Sequence, residues 1–357
     1  MAWADPALAE AAAKATADLY GDATADLIRI VARRLARSIT DDGWATAKLL
    51  ELLQLRADAE QVIARLQGAV VDTVADGIET AAAQGARAAA TELQLTAPLA
   101  TRVNTAAVEA LARQTVGDLT GMHTQILRSV DDVYRRSVEA GRVVTGAATR
   151  RQAAQRMLDN FAHRGVTGFT TTRADGVVVR WTAESYAEMA TRTAAGRAQV
   201  QGSLDQYVAD DRNFVIVSDA PQECERCRPY EGKGLSLNGE GVGTTVGGIR
   251  IVDTFRGAQS KGLLHASCRH RVNPIIPGLT RPMKHTADPE GDALRQEQRR
   301  LERGVREWKR VEAAALDDQA RARARAKVRE WQGRLKTHVD TNNLKRQRSR
   351  EQIRSAR

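Results

Sequence analysis

Aromatic residues make up only 4 % of this 357-residue chain, and it has only three cysteines. The shortage of large flat side chains disfavours a β-sandwich. The abundance of Ala and Arg instead favours helices packed through small residues. All three cysteines lie between positions 224 and 268. An odd, clustered set excludes a disulfide framework and points to a local metal or packing role. No apolar run approaches the ~20 residues that a membrane span needs, so no membrane partner is expected. The start, Met1-Ala-Trp-Ala-Asp-Pro6, lacks the charged and apolar regions of a signal peptide. The expectation is a protein made and kept in a cytoplasm unless a particle carries it out. Phosphate-cradling G-x-x-x-x-G-K-[ST], nucleophile-elbow G-x-S-x-G and dinucleotide G-x-G-x-x-G patterns are absent in strand–helix context, which removes the commonest enzyme classes.

Charge is distributed unevenly. Residues 281–357 hold 22 Lys+Arg against 12 Asp+Glu, which accounts for the whole net charge of +10. The first 280 residues balance, with 32 of each sign. A neutral body with a basic end fits a polyanion partner such as nucleic acid. It fits a solvated Arg-rich helix equally well.

The length allows two domains and a sizeable core. The fold class expected is mostly α, with a helical N-terminal domain, a small α+β domain and long charged C-terminal helices. The boundaries expected are 1–164, 165–280 and 281–357. In the first segment, Leu27, Val31 and Leu35 recur at helical spacing, and Thr40-Asp41-Asp42-Gly43 reads as a break with capping residues before Trp44. A single longer helix is expected from Val108, with Leu119, Ile126 and Val133 at near-heptad spacing. His123, beside that stripe, is assigned no role.

Beyond Gly165, two β-prone stretches flank Arg173-Ala-Asp175-Gly176 and read as a hairpin. Thr182-Ala-Glu184-Ser185 can cap a helix running to about Val208, on which Glu184, Glu188 and Arg192 line up as an ion-pair ladder. Phe214–Val217 and Ile249–Phe255 read as strands around a stretch, 232–248, holding seven glycines. After Pro282, two charged helices carry thin apolar stripes, too narrow for a core of their own. The end, Lys345 to Arg350, is expected to fray.

The most specific local signal is Cys224-Glu-Arg-Cys227, followed some forty residues later by His265-Ala-Ser-Cys268-Arg-His270. Two thiols on a tight turn after a strand, with a second Cys/His pair, suit tetrahedral zinc, and a closed four-ligand site is structural. The candidate ligands are Cys224, Cys227, His265, Cys268 and His270. Buried apolar packing of the cysteines, hydrogen bonding of the histidines, and a redox C-x-x-C pair remain open beside it. The zinc deaminase pattern fails at both halves: Pro221 is not adjacent to Cys224, and His163-Arg-Gly165 lacks the glutamate. A treble-clef nuclease needs a catalytic His beside a metal-orienting partner, and no such pair can be placed.

Ser218-Asp219-Ala-Pro-Gln-Glu-Cys224-x-x-Cys227-Arg-Pro229-Tyr230-Glu231-Gly232-Lys233 resembles the core of the phage minor capsid protein 2 family, related to the MuF-type head morphogenesis proteins. His265-Ala-Ser-Cys268-Arg269-His270, with Asn273-Pro274 and Pro277-Gly278, is similar to the second half of that core. Ala266 stands where relatives commonly carry proline. The helix from Trp181 to Thr193 and the tail around Leu301–Arg310 are similar as well. The resemblance implies a structural minor capsid protein of a tailed phage or prophage, not an enzyme, acting in head assembly near the portal. It implies several copies in the capsid interior, synthesis in a host bacterial cytoplasm, and portal protein, major capsid protein and packaged DNA as partners. Candidate phosphate contacts are Arg321, Arg323, Arg325, Lys327 and Arg329, then Lys345, Arg346, Arg348 and Arg350. Two rival readings stand: a metal-dependent nuclease or injected effector using the Cys/His cluster, and a host nucleic-acid-binding module with no particle role.

Overall fold

The computed structural model describes residues 7–93, 103–144, 146–165, 167–172, 176, 178–220, 225–266, 268–281 and 288–353. The fold is mostly helical with one small mixed sheet, as expected. Ten helices are described: α1 (Ala7–Ala36), α2 (Trp44–Leu50), α3 (Leu52–Glu92), α4 (Thr105–Thr120), α5 (His123–Arg142), α6 (Ala147–Arg164), α7 (Ala183–Ala209), α8 (Phe255–Ser260), α9 (Pro289–Ala313) and α10 (Asp318–Thr341). The strands are β1 (Thr167–Thr172), β2 (Val178–Thr182), β3 (Phe214–Val217), β4 (Gly234–Ser236), β5 (Thr245–Val246), β6 (Ile249–Thr254) and β7 (Val272–Pro274). By contacts the chain divides into two units. One comprises residues up to Thr16, Val71–Gly117 and Glu188–Arg295; the other comprises Ala17–Val70, Asp118–Ala187 and Gln296–Arg357.

The first unit is built on a five-stranded sheet in the order β5-β6-β4-β3-β7, antiparallel except for β4 beside β6. Side chains alternate across a strand. In β3, Val215 and Val217 therefore join Val200, Leu204 and Tyr207 of α7, with Leu235, Phe255 and Val272, in the main core. Ile216 points the other way, into a second cluster with Ile249, Ile251 and Ile275. Each such aliphatic side chain contributes about 1.5–3 kcal/mol on burial.

The alanine-rich composition has its use where helices cross. Gly85 of α3 lies against the Gln199 carbonyl of α7, and Gly202 of α7 against the Ala82 carbonyl of α3. Ser203 donates to the Gly85 carbonyl at 3.0 Å. Ala9, Ala12, Ala81 and Ala195 form a further small-residue cluster. With no side chain on either glycine, the two backbones meet directly, at the close end of helix packing distances.

At the end of α3, Glu92 accepts hydrogen bonds from the Tyr207 hydroxyl, at 3.1 Å, and from the Asn273 amide. Burial raises its pKa to about 7, against the lowering effect of the Tyr207 hydrogen bond. The folded chain thus holds a proton that the unfolded chain releases near pH 4.5. Stability from this group is present below that pH and is lost as pH rises towards 7. A urea midpoint that falls from pH 5 to pH 8, with a smaller fall in Glu92→Gln, is the expected result. An identical fall in the variant would remove Glu92 from the account.

In the second unit, Trp44 is buried, donates Nε1–H to the Leu35 carbonyl at 3.0 Å, and carries the Arg150 guanidinium 5.8 Å from its ring. Arg150 in turn donates to the Ile39 and Asp41 carbonyls. This fixes the break before α2 through a long-range arginine. The expected side-chain cap is not there: Gly43 occupies the N-cap with no side-chain hydrogen bond. The helix expected to run unbroken from Val108 is two helices, α4 and α5, parted at Gly121-Met122. Leu119, Ile126 and Val133 are nevertheless all buried. His123 is buried too, 3.1 Å from the Tyr20 hydroxyl, and burial lowers its pKa.

α9 and α10 close on one another through Leu301, Leu335 and Val339, with Gly304 giving room to the Trp331 ring. Asp317 caps α10 by accepting from the Ala320 N–H at 2.7 Å. The end expected to fray is instead pinned. Arg346 forms a two-pronged pair with buried Glu351 at 2.7 Å, and the Arg350 carbonyl accepts from Arg306. Residues 354–357 lie outside the described residues.

Candidate metal centre and charged surface

The Cys/His cluster is assembled by the pairing of β3 with β7. Val215 opposes Pro274 and Val217 opposes Val272. Two further bonds, Ser218 N–H to the Arg271 carbonyl and Arg271 N–H to Ser218 Oγ, both 2.9 Å, extend the pairing past the strand ends. The loop leaving β3 and the segment entering β7 are thereby held side by side. Cys227 sits at the N-cap of a 3₁₀ turn, Arg228–Tyr230, and is fully buried. Glu231 follows, tied to β3 by a bridge to Val217 and by Gly232 N–H donating to the Val217 carbonyl.

The sulfurs of Cys227 and Cys268 lie 3.6 Å apart, too far for a disulfide bond between them. The donor atoms of Cys227, His265 and Cys268 all lie within 4.8 Å of one another. A tetrahedral zinc with Zn–S bonds of about 2.3 Å sets its sulfurs ~3.8 Å apart, so two thiols and an imidazole at these spacings fit a zinc ion. His265 Nδ1 lies 2.8 Å from the Ala266 carbonyl oxygen, an arrangement in which Nδ1 donates and Nε2 carries the lone pair a ligand needs. Cys224 lies outside the described residues.

His270 takes a different place in the cluster. Its Nδ1 is 3.2 Å from Cys268 Sγ and its Nε2 is 2.6 Å from Glu231 Oε1. Both partners are acids, and Glu231 also accepts from the Ala220 N–H at 3.1 Å. Burial works against a charge on His270, but Cys268 and Glu231 outweigh it and its pKa is raised. The Cys268 thiol is held well below the usual thiol range, first by the hydrogen bond from Cys227 and then by His270, against the opposing effect of burial. The arrangement supports a thiolate at Cys268 with His270 and Glu231 behind it, as metal-ligating side chains are commonly oriented. Glu231 stands in the sequence only as one residue of the Tyr230-Glu231-Gly232 stretch. Its part in the cluster depends on a contact 39 positions away.

The basic residues singled out in the tail are more neutralised than their count implies. Arg321 pairs with Asp318 at 2.5 Å, Arg325 with Glu312 at 2.7 Å, Lys327 with Glu330 at 2.7 Å and Arg346 with Glu351 at 2.7 Å. Arg323, Arg329, Lys345 and Arg348 are exposed, and Arg350 is half-buried. The expected ladder on α7 holds at Arg192–Glu188, 2.5 Å, and Arg192 also reaches Glu10 at 3.2 Å. Glu184 departs from it. Its carboxylate instead meets two buried arginines of α9: Arg306 Nε at 2.6 Å and Arg310 Nη1 at 3.4 Å.

No helix among the described residues is long and apolar enough to cross a membrane. The family model for phage minor capsid protein 2 matches residues 5–340. Neither the curated proteins nor the solved structures contain a match to the chain.

Proposed function

The chain belongs to the phage minor capsid protein 2 family, and on that premise we propose that it is a structural protein of a tailed-phage head, assembled near the portal and touching packaged DNA. The observation that carries this reading is the extent of the match, which takes in nearly all of both units. Contact with a portal or major capsid subunit is supported by an apolar patch at the α2–α3 junction. Leu50 and Leu53 there are 78 % and 74 % exposed, beside the half-exposed Leu49. Contact with DNA is supported by the basic C-terminal segment and would neutralise phosphates without reading bases.

Within this reading the Cys/His cluster is a staple. Cys227, His265 and Cys268 would hold a zinc ion, with Cys224 as a further donor from the sequence, and the ion would supply folding energy to a loop-rich region. Purified full-length chain should carry about one zinc. Cys227→Ser should lose the ion together with the near-ultraviolet signal of fixed tertiary structure. Glu231→Gln, which leaves the ligands in place, should weaken zinc binding by about 10–100-fold. Retention of fold and metal in Cys227→Ser would remove the staple.

A second reading, an injected effector with chemistry at this cluster, draws on the Cys268–His270–Glu231 line, which has the order of nucleophile, base and orienting carboxylate. It predicts the opposite pattern: a Cys268→Ser variant that stays folded and loses only an activity.

A further inference from the structure

The second unit has an open groove of about 660 Å³ between α1 and the α9–α10 hairpin. Arg29, Ala32, Arg33 and Ala36 recur at i, i+3, i+4 and i+7 and form one wall from a single helix face. Lys309, Arg321 and Arg325 line the other wall. Among the described residues five cations thus face the groove with one lining carboxylate, Glu312, which is already paired with Arg325. The apolar lining is four alanines with Leu316 and Ile353, and no aromatic side chain among the described residues lines the space.

We propose that this groove is a seat for the phosphodiester backbone of double-stranded nucleic acid, and that Arg29 and Arg33 of α1 belong to the contact as much as the C-terminal helices do. The inference rests on the DNA contact proposed above and narrows it to a surface.

Two cations there make no direct ion pair. Neither Arg33 nor Lys309 has a carboxylate partner in ion-pair reach among the described residues. Arg33 meets only the Arg29 carbonyl, and Lys309 donates to the neutral Gln352 amide oxygen at 2.7 Å. Burial lowers the Lys309 pKa by more than the nearby Glu351 and Glu312 carboxylates raise it, so a further negative charge in the groove would favour the ammonium. The pairs of Arg29 with Asp26 and Arg321 with Asp318 each join neighbours on one helix and are open to solvent, where ion pairs are weak, so a phosphate can compete for them. The charges are spread over two walls, which suits a row of phosphates better than a single one. An acidic protein partner is best anchored by aromatic side chains at the centre of its contact, and none of the described lining residues is aromatic. Single strands are held by stacking on aromatic rings, and none lines the groove among the described residues, so the duplex is favoured.

The test uses the full-length chain and a labelled mixed-sequence duplex, with affinity followed across a salt series. Arg29→Glu/Arg33→Glu should weaken binding at least tenfold at low salt and flatten the log–log salt slope by about 1.8, the share of two phosphates at ~0.9 each. Arg65→Glu/Arg128→Glu, exposed on the same unit and off the groove, changes the net charge equally and should leave the slope nearly intact. Arg33→Gln/Lys309→Gln should flatten the slope by a similar amount without reversing any charge, which keeps the test readable if the first variant disturbs α1. Equal losses in the groove and control variants, with wild type still binding, would overturn the groove and leave the DNA contact standing. No salt-dependent duplex affinity in the wild type would overturn both. Displacement of the duplex by poly-glutamate at matched charge would replace nucleic acid by an acidic polypeptide as the occupant.

Discussion

Gly202→Ala is expected to destabilise the first unit by more than about 2 kcal/mol, although alanine is the better helix former by about 1 kcal/mol. A Cβ at Gly202 would fall inside the van der Waals envelope of the Ala82 carbonyl, and one at Gly85 inside that of the Gln199 carbonyl. Neither obstacle is a flexible side chain that can swing aside. The helices must separate, and the alanines packed beside the crossing would lose contact as well. Gly196→Ala, also on α7, supplies the comparison. A Cβ there meets nothing within 4 Å, so the same substitution should be neutral or stabilising by up to about 1 kcal/mol. Opposite signs in urea unfolding are the expected result. Equal effects would mean that the crossing is looser than described.

The second large effect is expected at Glu184. Its carboxylate faces Arg306 and Arg310, whose side chains are 9 % and 8 % exposed. The Arg306 contact is close but poorly aligned as a hydrogen bond, so its worth is chiefly electrostatic. Arg310 is held further by donating Nε–H to the Ala162 carbonyl at 3.1 Å, and burial lowers its pKa. Glu184→Gln keeps the shape and removes the charge, leaving two buried guanidiniums with no counter-charge at that carboxylate. Breaking a buried pair from one side costs about 3–5 kcal/mol. Asp340→Asn, which breaks the exposed Lys336–Asp340 pair on α10, should cost under about 0.5 kcal/mol. A Glu184→Gln variant as stable as Asp340→Asn would show that the arginines are solvated in solution.

The contrast between Glu184 and Arg192 also shows what the sequence makes legible. Period and local spacing placed the hairpin of β1 and β2, the whole of α7, and the strands β3 and β6, because each depends on residues a few positions apart. The Glu188–Arg192 pair is of that kind. The partners of Glu184 lie more than a hundred positions away, and no helical period announces them. The site divides in the same way. Two thiols at C-x-x-C spacing and a later His/Cys pair marked the cluster, and the structure brings Cys227, His265 and Cys268 together. Glu231 as the carboxylate behind His270 came only from strand pairing. In the tail, counting charges could not distinguish arginines already neutralised by Asp318, Glu312 or Glu351 from those left for a partner, and the Arg325–Glu312 pair in particular is set by the contact of α10 with α9 rather than by neighbours in sequence.

The most direct measurement is of the particle itself: protein quantification in purified, DNA-filled heads against the portal and major capsid subunits. The structural role predicts this chain inside the head at a low and fixed ratio to the portal, protected from protease until the shell is opened. Heads that assemble, fill and infect with none of it present, while the chain stays free in the lysate, would contradict that role.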